Sequence, residues 1–144
     1  MEKREFGVAT RIIHGENHGL NPFGSLGMPI FQTSTFVFEN AAQGAARFAG
    51  KEEGYIYSRI GNPSTTVVEE KLAYLEGAEA ACAFSSGMGA ISASTSALLK
   101  TGDRLVSDTA IYGCTFALFN HKLPEYGIDV DFVDFRDLKA LKKA

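Results

Sequence analysis

Three groups of residues have types and spacings suited to binding or catalysis, and the first is the turn Ser85-Ser86-Gly87-Met88-Gly89. It follows a short apolar run and precedes a stretch typical of a helix. Amides in the first turn of a helix have no partner within it and carry partial positive charge, so they can bind an anion such as phosphate. Glycine lets the anion approach the backbone. An ordinary strand-to-helix turn is an equally good interpretation of so short a motif.

Tyr57 and Arg59 form the second group. Residues two positions apart point to the same side of an extended segment, and a phenol and a guanidinium can both donate hydrogen bonds to phosphate. The alternative is a packing tyrosine beside a surface arginine. Spacing alone favours that alternative.

Tyr112 and Cys114 form the third group, at the start of a predicted helix that follows a strand. The phenol could stack on a planar cofactor or transfer protons, and the thiol could be reactive at a helix N-terminus. A half-buried aromatic residue and a small buried apolar residue are the alternatives, and free cysteine is most often the latter.

The elements that would position these groups form a regular pattern from residue 62 onward, with one short helix predicted before it. Caps and periodicity predict helices at Asn40–Phe48, from Pro63 (capped by Asn62) to Gly77, at Met88–Leu99, from Tyr112 or Thr115 to Pro124, and from Arg136. Apolar or alternating runs predict strands at Ala80–Phe84, Arg104–Ser107 and Ile128–Val133. Strands that alternate with helices imply parallel pairing and right-handed crossover connections. The result would be an open α/β sheet with helices on its faces.

The first 61 residues differ from the rest of the chain in composition. Residues 14–36 are rich in Gly, Asn, Ser and Thr, and so long a loop is uncommon inside a compact domain. An arm packed on a partner subunit would explain its apolar residues, which are Met28, Ile30, Phe31, Phe36 and Phe38. We therefore expect an N-terminal arm over 1–61 and the start of an α/β domain over 62–144.

Composition argues against several classes of protein. The formal charge of −3 is well mixed along the chain, which does not suit nucleic-acid binding, and no apolar run is long enough to span a membrane. Cys82 and Cys114 without a secretory segment favour a cytoplasmic protein with no disulfide framework. His14, His18 and His121 are too scattered to predict a metal site.

Three sequence motifs, in order along the chain, resemble those of a known family more specifically than local patterns of caps and periodicity could show. They are YIYSRIGNPSTTVVEEKLAYLEG, AFSSGMGAISASTSALL and DTAIYGCTFALF, preceded by IHGE and MPIFQTSTF. Together they resemble the Cys/Met metabolism (cystathionine γ-synthase-like) family of pyridoxal-phosphate enzymes. The resemblance implies fold type I, the aspartate-aminotransferase-like large domain with a mostly parallel sheet, and pyridoxal 5′-phosphate as cofactor.

The resemblance also assigns roles to matching positions. It implies that the amides of Gly87 and Met88 bind the cofactor phosphate, in a turn shaped by Ser86. Tyr112 would stack over the pyridine ring and protonate the leaving group, provided that a nearby positive charge lowers the pKa of its phenol.

Tyr57 and Arg59 would, by the same resemblance, bind the phosphate of a partner subunit's cofactor. The active sites would then be shared within a dimer. Such dimers would pair into a homotetramer that acts on a small sulfur amino acid.

Cys114 indicates a branch of the family. Synthases, sulfhydrylases and cystathionine lyases mostly have glycine after the Tyr-Gly pair, whereas YGCTFA resembles the methionine γ-lyases. The expected reaction is elimination of methanethiol from L-methionine, which leaves 2-oxobutanoate and ammonia. An O-acetylhomoserine sulfhydrylase and a cystathionine γ-synthase or lyase are the alternatives within the family.

The family's cofactor-binding lysine, which follows a Ser-x-x-Lys pattern, has no match among these lysines: Lys51, Lys71, Lys100, Lys122, Lys139, Lys142 and Lys143. The chain ends within a predicted helix, as a fragment would. We therefore expect the 144 residues to be inactive alone. A non-catalytic module that binds phosphate compounds or dimerises is the alternative from another class.

Overall fold

The computed structural model describes residues 7–14, 24–25 and 27–144. Of the loop-rich stretch predicted near the N-terminus, residues 15–23 and 26 lie outside the described residues, and His18 is among them. The chain divides between Ala83 and Phe84 into two compact units. Among the described residues no helix combines the length and the apolar character needed to cross a membrane.

Three helices form the framework of the first unit: α1 (Val8–His14), α2 (Ala41–Phe48) and α3 (Pro63–Glu76). The predicted caps of α2 and α3 are confirmed. Asn40 accepts a hydrogen bond from the Gln43 amide at 2.9 Å, and Asn62 accepts one from the Ser64 amide at 2.8 Å. Helix α3 ends at Gly77, whose φ of 65° is the left-handed conformation that glycine adopts without strain.

Helix α1 is held on α3 by two cationic side chains. Arg11 donates to the carbonyl oxygen of Tyr74, and its guanidinium lies 4.2 Å from the centre of the Tyr74 ring. Lys71 donates to the carbonyl oxygen of Ile13 at 2.8 Å. Both carbonyls lie near helix C-termini, where the aligned peptide dipoles favour a positive charge.

Asn62 does more than cap α3. Its side chain is buried (6% exposed) and donates to the Phe31 carbonyl oxygen and to Ser58 Oγ, both at 2.9 Å. Ser64 Oγ accepts from the Phe31 amide at 2.8 Å. The start of α3 thus holds the extended residues near Phe31 and the turn that contains Ser58.

Part of the apolar surface of the predicted arm is packed within the chain. The ring centres of Phe36 and Tyr55 are 5.3 Å apart, and those of Phe38 and Phe48 are 6.2 Å apart. Ile30 is exposed, at 87% of its surface. Intramolecular packing therefore accounts for Phe36 and Phe38 but not for Ile30.

The second unit alternates helices with two parallel strands: α4 (Gly87–Leu98), β1 (Arg104–Asp108), α5 (Gly113–Ala117), a π-helical turn (Leu118–Lys122), α6 (Leu123–Glu125), β2 (Asp129–Val133) and α7 (Leu138–Lys143). The strands pair in parallel from Arg104 opposite Asp129 to Asp108 opposite Val133. The predicted parallel α/β arrangement is confirmed here.

The core of this unit consists of Phe119, Leu123 and Ile128, with half-buried apolar residues of α4 and both strands around them. The π-helical turn explains how Thr115, Phe119 and Leu123 are all buried at a spacing of four. Four residues of an α-helix overshoot one turn by about 40°. The wider turn winds less per residue, so it returns Leu123 to the same side.

Pro124 gives the physical reason for this widening. It has no amide to donate, and its ring would collide with the carbonyl of Asn120 in a regular α-helix. The Leu123 amide donates instead to the Leu118 carbonyl, five residues back. The single helix predicted up to Pro124 is therefore three consecutive segments.

Two sequence predictions are wrong in this region. Residues 80–84 were predicted to form a strand, yet they have no strand partner within the described residues, whose sheet has two strands. The Ala83 amide donates to Glu69 Oε1 at 2.8 Å instead. The last helix begins at Leu138 rather than Arg136, because Asp137 caps it through the amides of Lys139 and Ala140.

Replacing the buried cap with Asn62→Ala should destabilise the protein by about 2–3 kcal/mol, because the cap and two further hydrogen bonds are lost. Asn40→Ala is the matched control, since the exposed Asn40 loses one cap bond and should cost about 1 kcal/mol. Urea unfolding followed by circular dichroism measures both. Equal losses for the two variants would contradict the added role of Asn62.

Candidate functional site

The turn before α4 has the geometry of an anion site. Ser86 is the N-cap in extended conformation (φ −154°, ψ 155°), and its Oγ accepts from the Gly89 amide at 3.0 Å. The Ala90 amide donates to the Ser86 carbonyl. These two bonds use the third and fourth amides of the helix and leave those of Gly87 and Met88, which have no acceptor within the described residues.

The glycines of this turn have separate roles. A Cβ on Gly87 would meet nothing within 4 Å, so the approach to its amide is open. A Cβ on Gly89 would lie 3.1 Å from Ser86 Oγ, which would crowd the cap. Open amides at the N-terminus of a helix fit an oxyanion with several acceptor oxygens, such as a phosphate monoester.

Tyr57 and Arg59 lie in the first unit. Tyr57 pairs with Thr35 in an antiparallel bridge, but its carbonyl accepts from the amides of Ile60 and Gly61, so the chain turns directly after it. The condition under which Tyr57 and Arg59 would point the same way, an extended segment, is therefore not met. Their side chains meet in another way, because the Arg59 guanidinium lies 5.1 Å from the Tyr57 ring centre.

The side chains of Tyr57 and Arg59 are both exposed. Behind them, Ser58 donates to the Thr33 carbonyl and accepts from Asn62. The pair is therefore displayed on a turn that the buried Asn62 network supports. Sequence reasoning identified Asn62 as a cap but missed this support, since hydrogen bonds between segments 31 residues apart leave no local pattern.

Tyr112 and Cys114 begin α5, at the carboxyl end of β1. Tyr112 is the N-cap, makes no side-chain cap bond and is 67% exposed. The side-chain hydrogen bond between the Tyr112 phenol and Cys114 raises the pKa of the phenol above its ordinary value, because the phenol donates to the sulfur, and the charge of the thiolate adds to this. The sequence prediction required a neighbour that lowers this pKa. In the described structure the adjacent side chain acts in the opposite direction and keeps the phenol protonated.

Thr115 is a residue that the sequence reasoning did not single out. It is buried (6% exposed), and its hydroxyl donates to Met88 Sδ at 3.5 Å. Next to it, the rings of Phe116 and Phe132 are 4.8 Å apart. Helix α5 is thus joined both to the turn before α4 and to strand β2. The sequence signal was weak, namely a threonine where the pattern expects an apolar core residue.

The candidate residues therefore form two clusters. Ser86, Gly87, Met88, Tyr112 and Cys114 belong to the second unit, where the Thr115–Met88 contact links the turn to α5. Tyr57 and Arg59 belong to the first unit. Cys82 and Cys114 are free thiols, and no group of three or more metal-binding side chains occurs among the described residues.

Comparison with known proteins shows which family this chain resembles. The profile of the family described as Cys/Met metabolism PLP-dependent enzymes matches residues 9–144. L-Methionine gamma-lyase of Fusobacterium nucleatum subsp. nucleatum is 53% identical over 144 residues, which are 100% of this chain and 36% of that protein. O-Succinylhomoserine sulfhydrylase of Pseudomonas aeruginosa is 43% identical over 123 residues, which are 85% of this chain and 30% of that protein.

A solved structure agrees with these sequence relatives. A protein from Campylobacter jejuni, provisionally assigned as an O-acetylhomoserine (thiol)-lyase, matches with a TM-score of 0.86 and 36% identity, over 97% of this chain and 34% of that one. It contains a pyridoxyl-lysine monophosphate residue. The chain thus spans about a third of the length of the relatives it matches.

The fold is that of the N-terminal part of a fold type I pyridoxal-phosphate enzyme, as predicted. The cofactor of the family is pyridoxal 5′-phosphate, a phosphate monoester of the kind that the open amides of Gly87 and Met88 fit. Because the family profile covers residues 9–144 of 144, this chain belongs to the Cys/Met metabolism family of pyridoxal-phosphate-dependent enzymes.

Proposed function

We propose that these residues are part of a pyridoxal-phosphate-dependent carbon–sulfur lyase that converts L-methionine and water into methanethiol, 2-oxobutanoate and ammonia. The observation that carries the proposal is the identity with L-methionine gamma-lyase, which extends over the whole chain. Cys114, directly after Tyr112-Gly113, supports the same branch of the family.

Binding of the cofactor phosphate falls to the turn before α4. The amides of Gly87 and Met88 donate to phosphate oxygens, and the positive end of the α4 dipole favours the negative charge. Ser86 keeps its hydroxyl proton available, because its oxygen is the acceptor in the bond from Gly89. When bound, the cofactor supplies an electron sink for carbanions next to its imine nitrogen.

Tyr112 is the proposed proton donor to the departing thiolate, and it also stacks on the cofactor ring. A donor must hold its proton until the carbon–sulfur bond breaks. Cys114 favours this because its hydrogen bond raises the pKa of the Tyr112 phenol. Cys114 is thus the proposed partner of the acid, and it lies where family members with glycine have no side chain.

Tyr57 and Arg59 are proposed to bind the cofactor phosphate of a partner subunit. Their exposure and their stacking support this role, since the guanidinium lies over the ring and its donors have no hydrogen-bond acceptor among the described residues. Residues 1–61 would then act as an arm between subunits and residues 62–144 as the start of the cofactor domain. A homotetramer built from two such dimers, in the cytoplasm, is the assembly we propose.

We further propose that the 144 residues are inactive alone, because none of the lysines named above has the family's Ser-x-x-Lys context. The first experiment compares this chain with the longest polypeptide that the gene encodes, each incubated with pyridoxal phosphate and L-methionine. We expect 2-oxobutanoate and methanethiol from a polypeptide of the relatives' length and none from residues 1–144.

The same preparations should be given O-acetylhomoserine or O-succinylhomoserine with sulfide. Homocysteine formation without 2-oxobutanoate from methionine would replace the lyase with the sulfhydrylase, which the Pseudomonas aeruginosa relative represents. Absence of both activities together with phosphate binding or dimerisation would favour the non-catalytic module.

Cys114→Ala should lower the pKa of the Tyr112 phenol toward its ordinary value, because the hydrogen bond that raises it is removed. The raised pKa keeps Tyr112 protonated further into the alkaline range. The alkaline decline of kcat should therefore begin at lower pH in Cys114→Ala than in the wild type. Nuclear magnetic resonance of ¹³Cζ-labelled tyrosine measures the ionisation directly, with Tyr112→Phe to assign the signal.

Cys82→Ala is the matched control, since Cys82 is the other exposed free thiol of the described chain. It should leave the Tyr112 ionisation and the pH profile of kcat unchanged. An unshifted Tyr112 signal in Cys114→Ala would show that the thiol does not control the phenol.

A further inference from the structure

The position of Tyr112 raises a question that the proposed function leaves open. Its ring is largely exposed, and among the described residues the side chain that shifts its pKa is Cys114, which is exposed as well. The contact with Cys114 does not fix the phenol relative to the turn that would hold the cofactor phosphate. A proton donor has to be held close to the reacting atom, so this distance must be set by another part of the unit.

Three contacts of the described residues hold the start of α5. Ile111, just before Tyr112, packs against the core cluster, and the Phe116 ring packs on Phe132 of β2. These contacts bind α5 to the core and the sheet. The third, from Thr115 Oγ1 to Met88 Sδ, connects α5 to the residue whose amide we assign to the phosphate.

The buried hydroxyl of Thr115 bonds differently from the hydroxyls of two half-buried helical threonines, Thr95 and Thr66. Thr95 donates to carbonyls of its own helix, Ile91 at 2.9 Å and Ser92 at 3.1 Å. Thr66 in α3 also donates within its own helix turn, to the Asn62 carbonyl. Thr115 donates to a side chain 27 residues away on a different helix. A buried hydroxyl left without an acceptor is destabilising, so this contact fixes where Met88 lies.

We propose that Thr115 is a positioning residue that sets Tyr112 relative to the phosphate-binding turn through its hydrogen bond to the Met88 sulfur. The inference rests on the proposed function, since it assigns Tyr112 to proton donation and the turn to the cofactor. Thr115 itself is buried and reaches neither reactant. It contacts the phosphate-binding turn through the Met88 sulfur. Tyr112 lies three residues before it at the start of α5, so the position of Thr115 sets the position of Tyr112.

The test uses the full polypeptide with Thr115→Val, which keeps the shape of the side chain and removes the hydroxyl. Thr115→Ser keeps the hydroxyl, and Met88→Leu removes the sulfur but keeps the backbone amide. Thr95→Val is the matched control, because it makes the same change where the hydroxyl bonds only its own helix. We expect kcat for methionine to fall by about three- to tenfold in Thr115→Val, the range that one buried hydrogen bond supplies.

If Thr115 positions Tyr112, its substitution should change kcat and leave KM unchanged. The KM for methionine should stay near its wild-type value, Thr115→Ser should recover most of kcat, and Thr95→Val should match the wild type. The circular dichroism band of the bound cofactor, which reports how its ring is held, should change in Thr115→Val and not in Thr95→Val. A purely structural role would instead lower stability in both threonine variants and leave this band unchanged.

The contact itself is tested without cofactor by urea unfolding of Thr115→Val, Met88→Leu and the double variant. A double variant less destabilised than the sum of the single variants supports the contact, and strict additivity overturns the inference. A wild type that is active while Thr115→Val equals Thr95→Val in kcat and in the cofactor band overturns the inference alone. A wild type that neither binds pyridoxal phosphate nor consumes methionine overturns the proposed function and this inference with it.

Discussion

The constraint on which this structure depends is that a helix leaves its first amides without partners. Each helix start therefore needs acceptors from elsewhere. Asn40, Asn62, Ser86 and Asp137 supply them through side-chain caps. At α2, α3 and α4 the cap residue accepts from one amide each, and at α7 it accepts from two. At α4 the approach to the Gly87 amide is open, which is why we propose this turn as the anion site.

The same constraint explains the differing roles of Asn62 and Tyr112. Asn62 is buried and both of its side-chain polar atoms make hydrogen bonds, so the chain around it is fixed and can display Tyr57 and Arg59 on a turn. Tyr112 stands at a helix start with no side-chain cap and stays exposed. We propose that its neighbours control its chemistry, Cys114 through the pKa of the phenol and Thr115 through its position. The start of α3 is thus held by buried hydrogen bonds, whereas the start of α5 exposes its side chain.

The residues that could be predicted are those whose signals are local. Asn-Pro before α3, Ser-Ser-Gly before α4 and the alternating run before Asp134 each reflect a cap, a turn or a strand periodicity, and all three were located from sequence. The strand predicted at residues 80–84 failed because a strand needs a partner, and apolar composition does not specify one. Whether the segment from Tyr57 to Arg59 is extended could not be decided from spacing, because the turn after Tyr57 depends on hydrogen bonds to the Tyr57 carbonyl.

Contacts between distant segments could not be predicted from local patterns, because local patterns do not specify a distant partner. The Thr115–Met88 bond and the Asn62 network join residues about 30 positions apart, and neither has a spacing that a periodicity reveals. The motif strings did identify the family, because many side chains match at once. The raised pKa of Tyr112 shows the limit of such matching, since a neighbour two residues away determines the direction of the shift.

The π-helical turn has a consequence for how this chain tolerates changes in length. A π-turn holds one residue more than the α-helical turn it replaces, so loss of a single residue between Leu118 and Lys122 would allow a regular helix. Every residue on its N-terminal side would then rotate by about 100° relative to the core. Tyr112 and Thr115 would leave their present directions together, whereas an insertion in the exposed loop before Ile111 would move neither relative to α5. Pro124 favours the longer form, and single-residue gaps in related sequences should therefore be rare within Leu118–Lys122.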